Sequence, residues 1–284
     1  MEIKKKMKKF FLKYVKFWEY LKKIYVIFSF SIGVIFTWLG LSSLENITPF
    51  DINNINSFLI GMGTGLITTA FTVSIIQYLL DIENDEKEKS KEKEELLRAH
   101  KILQMLIFKY MKYFYCVVVP LKKRNDEYWK QGIPLITEFE FKDLCDLHLP
   151  SLYTGDDFNT STIELFYKAE RELRDCMSKI IFSNSLNYFT DIRNIMLEFI
   201  ECSLGNHHEG AILGNLKSKT GDKKTTEVIY EYFNNPSIDW LSAYKERKLS
   251  SNIMLPYVAL YYFLKGEIQL IVKYNNEIKK IENI

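Results

Sequence analysis

The sequence predicts a membrane α-helical protein, a two-helix transmembrane hairpin followed by a cytosolic all-α helical bundle. Three observations carry that expectation. Residues 24–44 contain no charge, residues 52–80 contain none either, and everything from about residue 95 onward repeats its apolar side chains at helical spacing.

The chain of 284 residues is 26% charged and 47% hydrophobic, with a formal net charge of +2. That is enough chain for one substantial core with an appendage. A nearly neutral total gives no electrostatic case for a nucleic-acid partner. Lysine outnumbers arginine 32 to 6, and alanine occurs only 6 times, a composition of AT-rich, bacterial type. Lysine abundance by itself therefore carries no argument. Cys116, Cys145, Cys176 and Cys202 are widely spaced, without a CxxC pair, and read as reduced thiols rather than a disulfide framework.

Residues 1–23 form the first segment. They hold nine lysines against Glu2 and Glu19, with Phe10, Phe11, Tyr14, Phe17, Trp18 and Leu21 gathered on one side of a helix. Two readings stand: a helix lying in the headgroup layer of anionic lipid, or a straight extension of the first span with snorkelling lysines.

The hairpin occupies residues 24–80, with spans at about 24–44 and 57–80. Each reaches the roughly 20 apolar residues that a bilayer core requires of a helix. A secretory signal is disfavoured for the first span. Its apolar region is too long, and Ser42-Ser43-Leu44-Glu45 offers no small-x-small cleavage site. The glycine cluster Gly61-Met62-Gly63-Thr64-Gly65 invites comparison with a phosphate loop, yet both flanks are membrane apolar and no Gly-Lys-Ser/Thr follows. It reads instead as a packing surface. Gly61, Gly65, Thr69 and Thr72 form a stripe that matches Ser29, Gly33, Thr37 and Gly40 on the first span. The stripe serves either within the hairpin or between copies of the chain. Lysine is dense before the first span and after the second, and absent from residues 45–56, which places both termini in the cytoplasm of an inner-membrane, multi-pass protein.

Residues 81–98 carry eight acids and five bases and continue the second span as a charged helical stalk, supported by close pairs such as Glu88–Lys91. It is either a rigid transmitter or a solubilising spacer.

The bundle, residues 99–284, begins with a helix whose Leu96, Leu103, Leu106, Ile107, Tyr110, Phe114 and Val117 recur at steps of three and four up to Pro120. Residues 121–159 are mixed, with a brief alternation at 138–141. Ser161 and Glu164 make a capping box that opens a helix to about residue 181. The next helix runs from near Asn184 to Leu204, with Gly205 expected as a left-handed cap. Short helices are expected over 225–233 and 236–247, and Pro256 starts a final helix to about residue 281, weakened at Gly266.

Catalytic signatures fail one by one. Cys145-x-x-His148, Cys202, His207 and His208 lack the tight pairs of structural zinc. Arg193 has no histidine at the spacing used by all-α ribonucleases, and no Gly-x-Ser-x-Gly or Rossmann fingerprint is present. No metal, cofactor or catalytic residue is expected. Residues 205–224 alone have site-like composition, with four glycines, His207, His208, Lys217 and Lys219 in an expected loop of about 20 residues. Amides and ammonium groups there suit an anionic small-molecule signal.

The general plan resembles that of bacterial membrane effectors in antiphage or stress systems, a resemblance of architecture that rests on no motif. It implies a non-enzymatic, oligomeric inner-membrane protein whose bundle senses a ligand or a soluble protein and whose hairpins perturb the bilayer. The alternatives are a passive anchor that recruits a soluble partner and an enzyme without a recognised signature.

Overall fold

The computed structural model describes residues 23–42, 52–124, 133–152, 156, 158–183, 186–235 and 237–282. The basic segment 1–22, most of the expected external loop, and residues 184 and 236 lie outside them; the helix expected from near Asn184 begins only at Thr190, after the non-helical residues 186–189. Helix accounts for 77% of the structure and strand for 3%. The chain divides into two compact units, Met1–Glu88 and Lys89–Ile284.

In the first unit, α1 (Lys23–Leu41) and the N-terminal part of α2 (Ile52–Val118) are long and apolar enough to cross a membrane. Their most apolar windows have mean hydropathy 2.1 and 1.8, and only 17% and 11% of those windows is buried. A soluble core helix hides its apolar side chains; these expose Ile27, Phe28, Trp38, Phe71 and Leu79 instead. The two helices meet along a seam of small residues. A Cβ added at Gly33 would lie 2.8 Å from the Gly63 carbonyl oxygen, and one at Gly40 would lie 3.0 Å from that of Asn56. Ser29 and Ala70, both buried, continue the same antiparallel register.

α2 is a single helix of 67 residues, so the stalk and the first bundle helix are parts of it. Pairs along the stalk include Lys87–Glu83 at 2.6 Å and Arg98–Glu94 at 2.5 Å, both i,i+4; among the described residues no ion pair joins Glu88 and Lys91. At the other end Pro120 stops the helix, and the Arg124 guanidinium satisfies carbonyls of Cys116 (2.7 Å), Val119 (3.0 Å) and Ser151 (3.1 Å). A cation at this terminus also meets the negative end of the helix dipole.

The second unit packs α2, α3 (Thr162–Ser183), α4 (Thr190–Leu204) and α8 (Leu255–Glu282) around one apolar core. Tyr110 of α2 is the meeting point, with ring centroids 5.5 Å from Phe166 of α3 and 6.0 Å from Phe199 of α4. Aromatic pairs of this kind add about 0.5–1.5 kcal/mol each beyond their buried area.

The capping box forms as its spacing requires: the Ser161 amide donates to Glu164 Oε2 (2.9 Å) and the Glu164 amide to Ser161 Oγ (3.4 Å). Residues 133–140 have no regular secondary structure, and Phe139 turns inward onto Phe114 and Tyr261. A 3-10 helix, Phe141–Asp146, follows. Pro256 sits in the first turn of α8.

Three further expectations need correction. Gly205 is right-handed (φ −72°), because the chain does not reverse after α4 but continues through a turn into another helix. The expected helix over 236–247 shortens to α7 (Trp240–Lys245), started by the Asp239 side chain accepting from the Ser242 amide. The third concerns residues 205–224. They are not an irregular loop but hold α5 (Glu209–Asn215) and a hairpin of β1 (Lys219–Thr220) and β2 (Lys223–Lys224), followed directly by α6 (Thr225–Phe233). Fully buried Ile212 ties α5 to the core, and Gly221 supplies the left-handed residue of the hairpin (φ 63°).

Candidate functional site

The four residues singled out in 205–224 are spread over three local structures. His207 and His208 lie in the turn before α5, Lys217 follows α5, and Lys219 opens β1. No hydrogen bond or ion pair joins any two of them among the described residues. The His207 and His208 amides bond within the turn, to the Gly205 carbonyl (3.0 Å) and Asn206 Oδ1 (3.3 Å). Lys217 and Lys219 are exposed and have no anionic partner among the described residues, whereas Lys223 is held by Glu231 at 2.6 Å.

A cleft of about 650 Å³ opens elsewhere in the second unit, between the 3-10 helix, the α6–α7 region and α8. Its walls are aromatic: Phe141, Tyr230, Phe233, Trp240 and Tyr261. Phe141 packs on Phe233 at 4.9 Å and on Tyr261 at 5.9 Å, so the wall is preformed. Trp240 donates its indole N–H to the Tyr232 carbonyl (3.1 Å), leaving it apolar toward the cleft. Lysines stand at the rim. Lys123 pairs with Asp143 and Lys142 with Glu140, both at 2.6 Å, while Lys122 is exposed and unpaired among the described residues. Aromatic walls with a lysine rim match, by chemistry, a planar or apolar group that carries one negative charge. Burial, reinforced by Asp146, pushes the Cys145 thiol up to about 11, so it stays protonated and poorly nucleophilic at neutral pH.

In the Cys145-x-x-His148 motif only Cys145 belongs to the 3-10 helix, and His148 follows it in a turn. His148 packs its ring on Tyr257 (5.5 Å), and both of its nitrogens are buried without a partner. Burial lowers its pKa to about 4, which keeps the imidazole neutral. The described residues contain no group of three or more His, Cys, Asp or Glu side chains placed to hold a metal ion.

The least expected feature lies in the core. Glu267 of α8 is fully buried, and Glu170 of α3 is 3% exposed. Tyr110 donates to Glu267 Oε2 at 2.8 Å, but Oε1 of each glutamate is buried without a partner. Burial raises both carboxyls, and their mutual repulsion raises Glu267 further. Ser203 and Arg174, themselves bonded at 3.0 Å, oppose this at Glu170. The signal was present in the sequence. Glu170 stands between Phe166 and Leu173, and Glu267 between Leu264 and Ile271, each on the apolar stripe of its helix. Cataloguing known motifs passes over an acid on a core face.

In the hairpin the seam uses half of the expected stripe. Gly33, Thr37 and Gly40 face α2, but the face they meet carries Gly63, Ile60 and Ile67. A Cβ at Gly61 or Gly65 would find nothing within 4 Å. Thr37 and Thr69 bond back to carbonyls of their own helices, Gly33 (2.8 Å) and Gly65 (2.9 Å), so these hydroxyls do not bridge the pair. Thr72 is exposed. Compared with known protein families, curated proteins and solved structures, the chain matches none.

Proposed function

We propose that the protein is a non-enzymatic, oligomeric inner-membrane protein, multi-pass with both termini cytoplasmic, whose helical domain takes up a ligand or partner and whose hairpins then perturb the bilayer. The observation that carries this reading is the outward apolar surface of α1 and the first part of α2, which water would leave uncovered and lipid covers. The lysine asymmetry around the two helices sets the orientation. Gly61 and Gly65, open within one chain, favour a second copy as their partner. The input is assigned to the aromatic cleft, where stacking walls and Lys122 suit an anionic aromatic molecule or an acidic protein segment. This activity fits a bacterial antiphage or stress effector.

Membrane potential in expressing cells is the test. Full-length protein should depolarise them, and a Gly63→Leu variant inserted to the same level should not. A potential that stays intact at high membrane levels of the parent would contradict the reading and favour a passive anchor.

A further inference from the structure

Two carboxyls sit where three helices of the bundle meet a fourth, and neither is explained by a ligand or a surface role. Glu267 belongs to α8 and Glu170 to α3. The groups that face them come from every neighbouring element. α2 supplies Tyr110, α3 supplies Tyr167, Arg171 and Arg174, α4 supplies Cys202, and Glu209 approaches from the start of α5. Arg171 is drawn toward Glu209, at 3.7 Å. Arg174 divides its guanidinium between Ser203 (3.0 Å) and Asp175 (3.6 Å). No cation is given over wholly to the pair. Two ionised carboxylates in such a place repel each other at low dielectric and lack the donors to compensate. A carboxyl that keeps its proton is neutral and gains a donor.

We propose that Glu170 and Glu267 form a proton-dependent latch: the bundle is closed while the pair retains a proton, and α8 loosens from the bundle when both carboxyls ionise. The latch belongs to the helical unit alone and holds whether or not the first unit spans a membrane. Tyr110 does not compete for the proton. Burial and the neighbouring carboxylates raise its phenol well above the ordinary range, so it remains a donor to Glu267. The sign of the effect follows from linkage. Both carboxyls have folded values raised above their unfolded ones, so their stabilisation is complete below the unfolded pKa and is lost as pH rises through the folded pKa.

The deciding window lies between the ordinary pKa of histidine, ~6.5, and that of a thiol, ~8.5, where side chains at their ordinary values change charge least. Across it, each retained proton raises the unfolding equilibrium constant about tenfold per pH unit. The experiment is the thermal unfolding midpoint of detergent-solubilised full-length protein across that window, with hydrogen exchange over α8 at one alkaline pH. The parent's midpoint should fall as pH rises. Glu267→Gln should flatten that fall and slow exchange over α8 relative to the parent at the same pH. Glu170→Gln, which removes the less buried partner, should do the same in smaller degree and decides the matter if Glu267→Gln does not fold. A parent midpoint that is flat across the window, or foldable Gln variants that fall as steeply as the parent, would overturn the latch.

Discussion

The two units bury side chains by opposite rules. In the hairpin, contact is made where side chains are missing: Gly33 and Gly40 allow backbone approach, and hydroxyls such as Thr37 and Thr69 are satisfied inside their own helices. Its large side chains point outward. In the bundle, rings fill the interior, Tyr110, Phe114, Phe166 and Phe199 among them, and the buried Glu267 draws a hydrogen bond from Tyr110 on another helix. The bundle thus completes its own core. The hairpin does not, and its outer surface depends on what surrounds it.

The largest effect should come from breaking the hairpin seam. A side chain at Gly63 would meet the Thr37 side chain and backbone and come within 2.7 Å of the Gly33 carbonyl oxygen, and backbone cannot step aside cheaply. Gly63→Leu should abolish association of α1 with α2, read by cross-linking between cysteines placed in the two helices. Gly61→Leu and Gly65→Leu should keep that cross-link and lose association between copies. Equal behaviour of all three variants would remove the distinction between inner seam and outer face.

In the bundle the acid side is governed by His148. Its folded pKa, about 4, lies below the unfolded value of 6.5. Stability is therefore full above the unfolded pKa and is lost as pH falls through the folded one, amounting to about 3 kcal/mol. His148→Phe keeps a ring against Tyr257 and should remove this contribution to the fall in the unfolding midpoint as pH drops between those values. A parent and variant with the same acid slope would show that another group carries it. This limb is opposite in sign to that expected of the Glu170–Glu267 pair.

A smaller loss is expected at Glu92. Leu186, buried with φ 45°, turns the chain so that successive amides of Asn187 and Tyr188 donate to the one Glu92 carboxylate, the latter at 3.0 Å. Glu92→Ala strands both amides and should cost about 2 kcal/mol. Chemical denaturation of the full chain measures it; an unchanged stability would mean that water replaces the carboxylate.

Helix existence was legible because its signals are local. The Ser161–Glu164 spacing, the apolar recurrence from Leu103 to Val117 and the position of Pro256 each dictate structure within a few residues. What was not legible depends on faces. The outer stripe Gly61/Gly65 and the inner position Gly63 have equally small side chains, and the choice between them is made by the register against Gly33 and Thr37 on another helix. Residues 205–224 looked like a loop because glycine and lysine dominate them, yet a single buried Ile212 is enough to anchor a short helix there. The aromatic cleft unites segments more than a hundred residues apart, from Phe141 to Tyr261, and no spacing rule reaches that far.

Placement in the membrane is the claim on which the functional reading rests, and cysteine labelling from outside intact cells tests it most directly. A cysteine replacing Asn46 or Asn54 should react with a membrane-impermeant maleimide, because lysine lies on both sides of the hairpin and none lies between its spans. Native Cys176, partly exposed in the bundle, should react only after the membrane is breached. Labelling of Cys176 in intact cells, with residues 46 and 54 protected, would contradict the account.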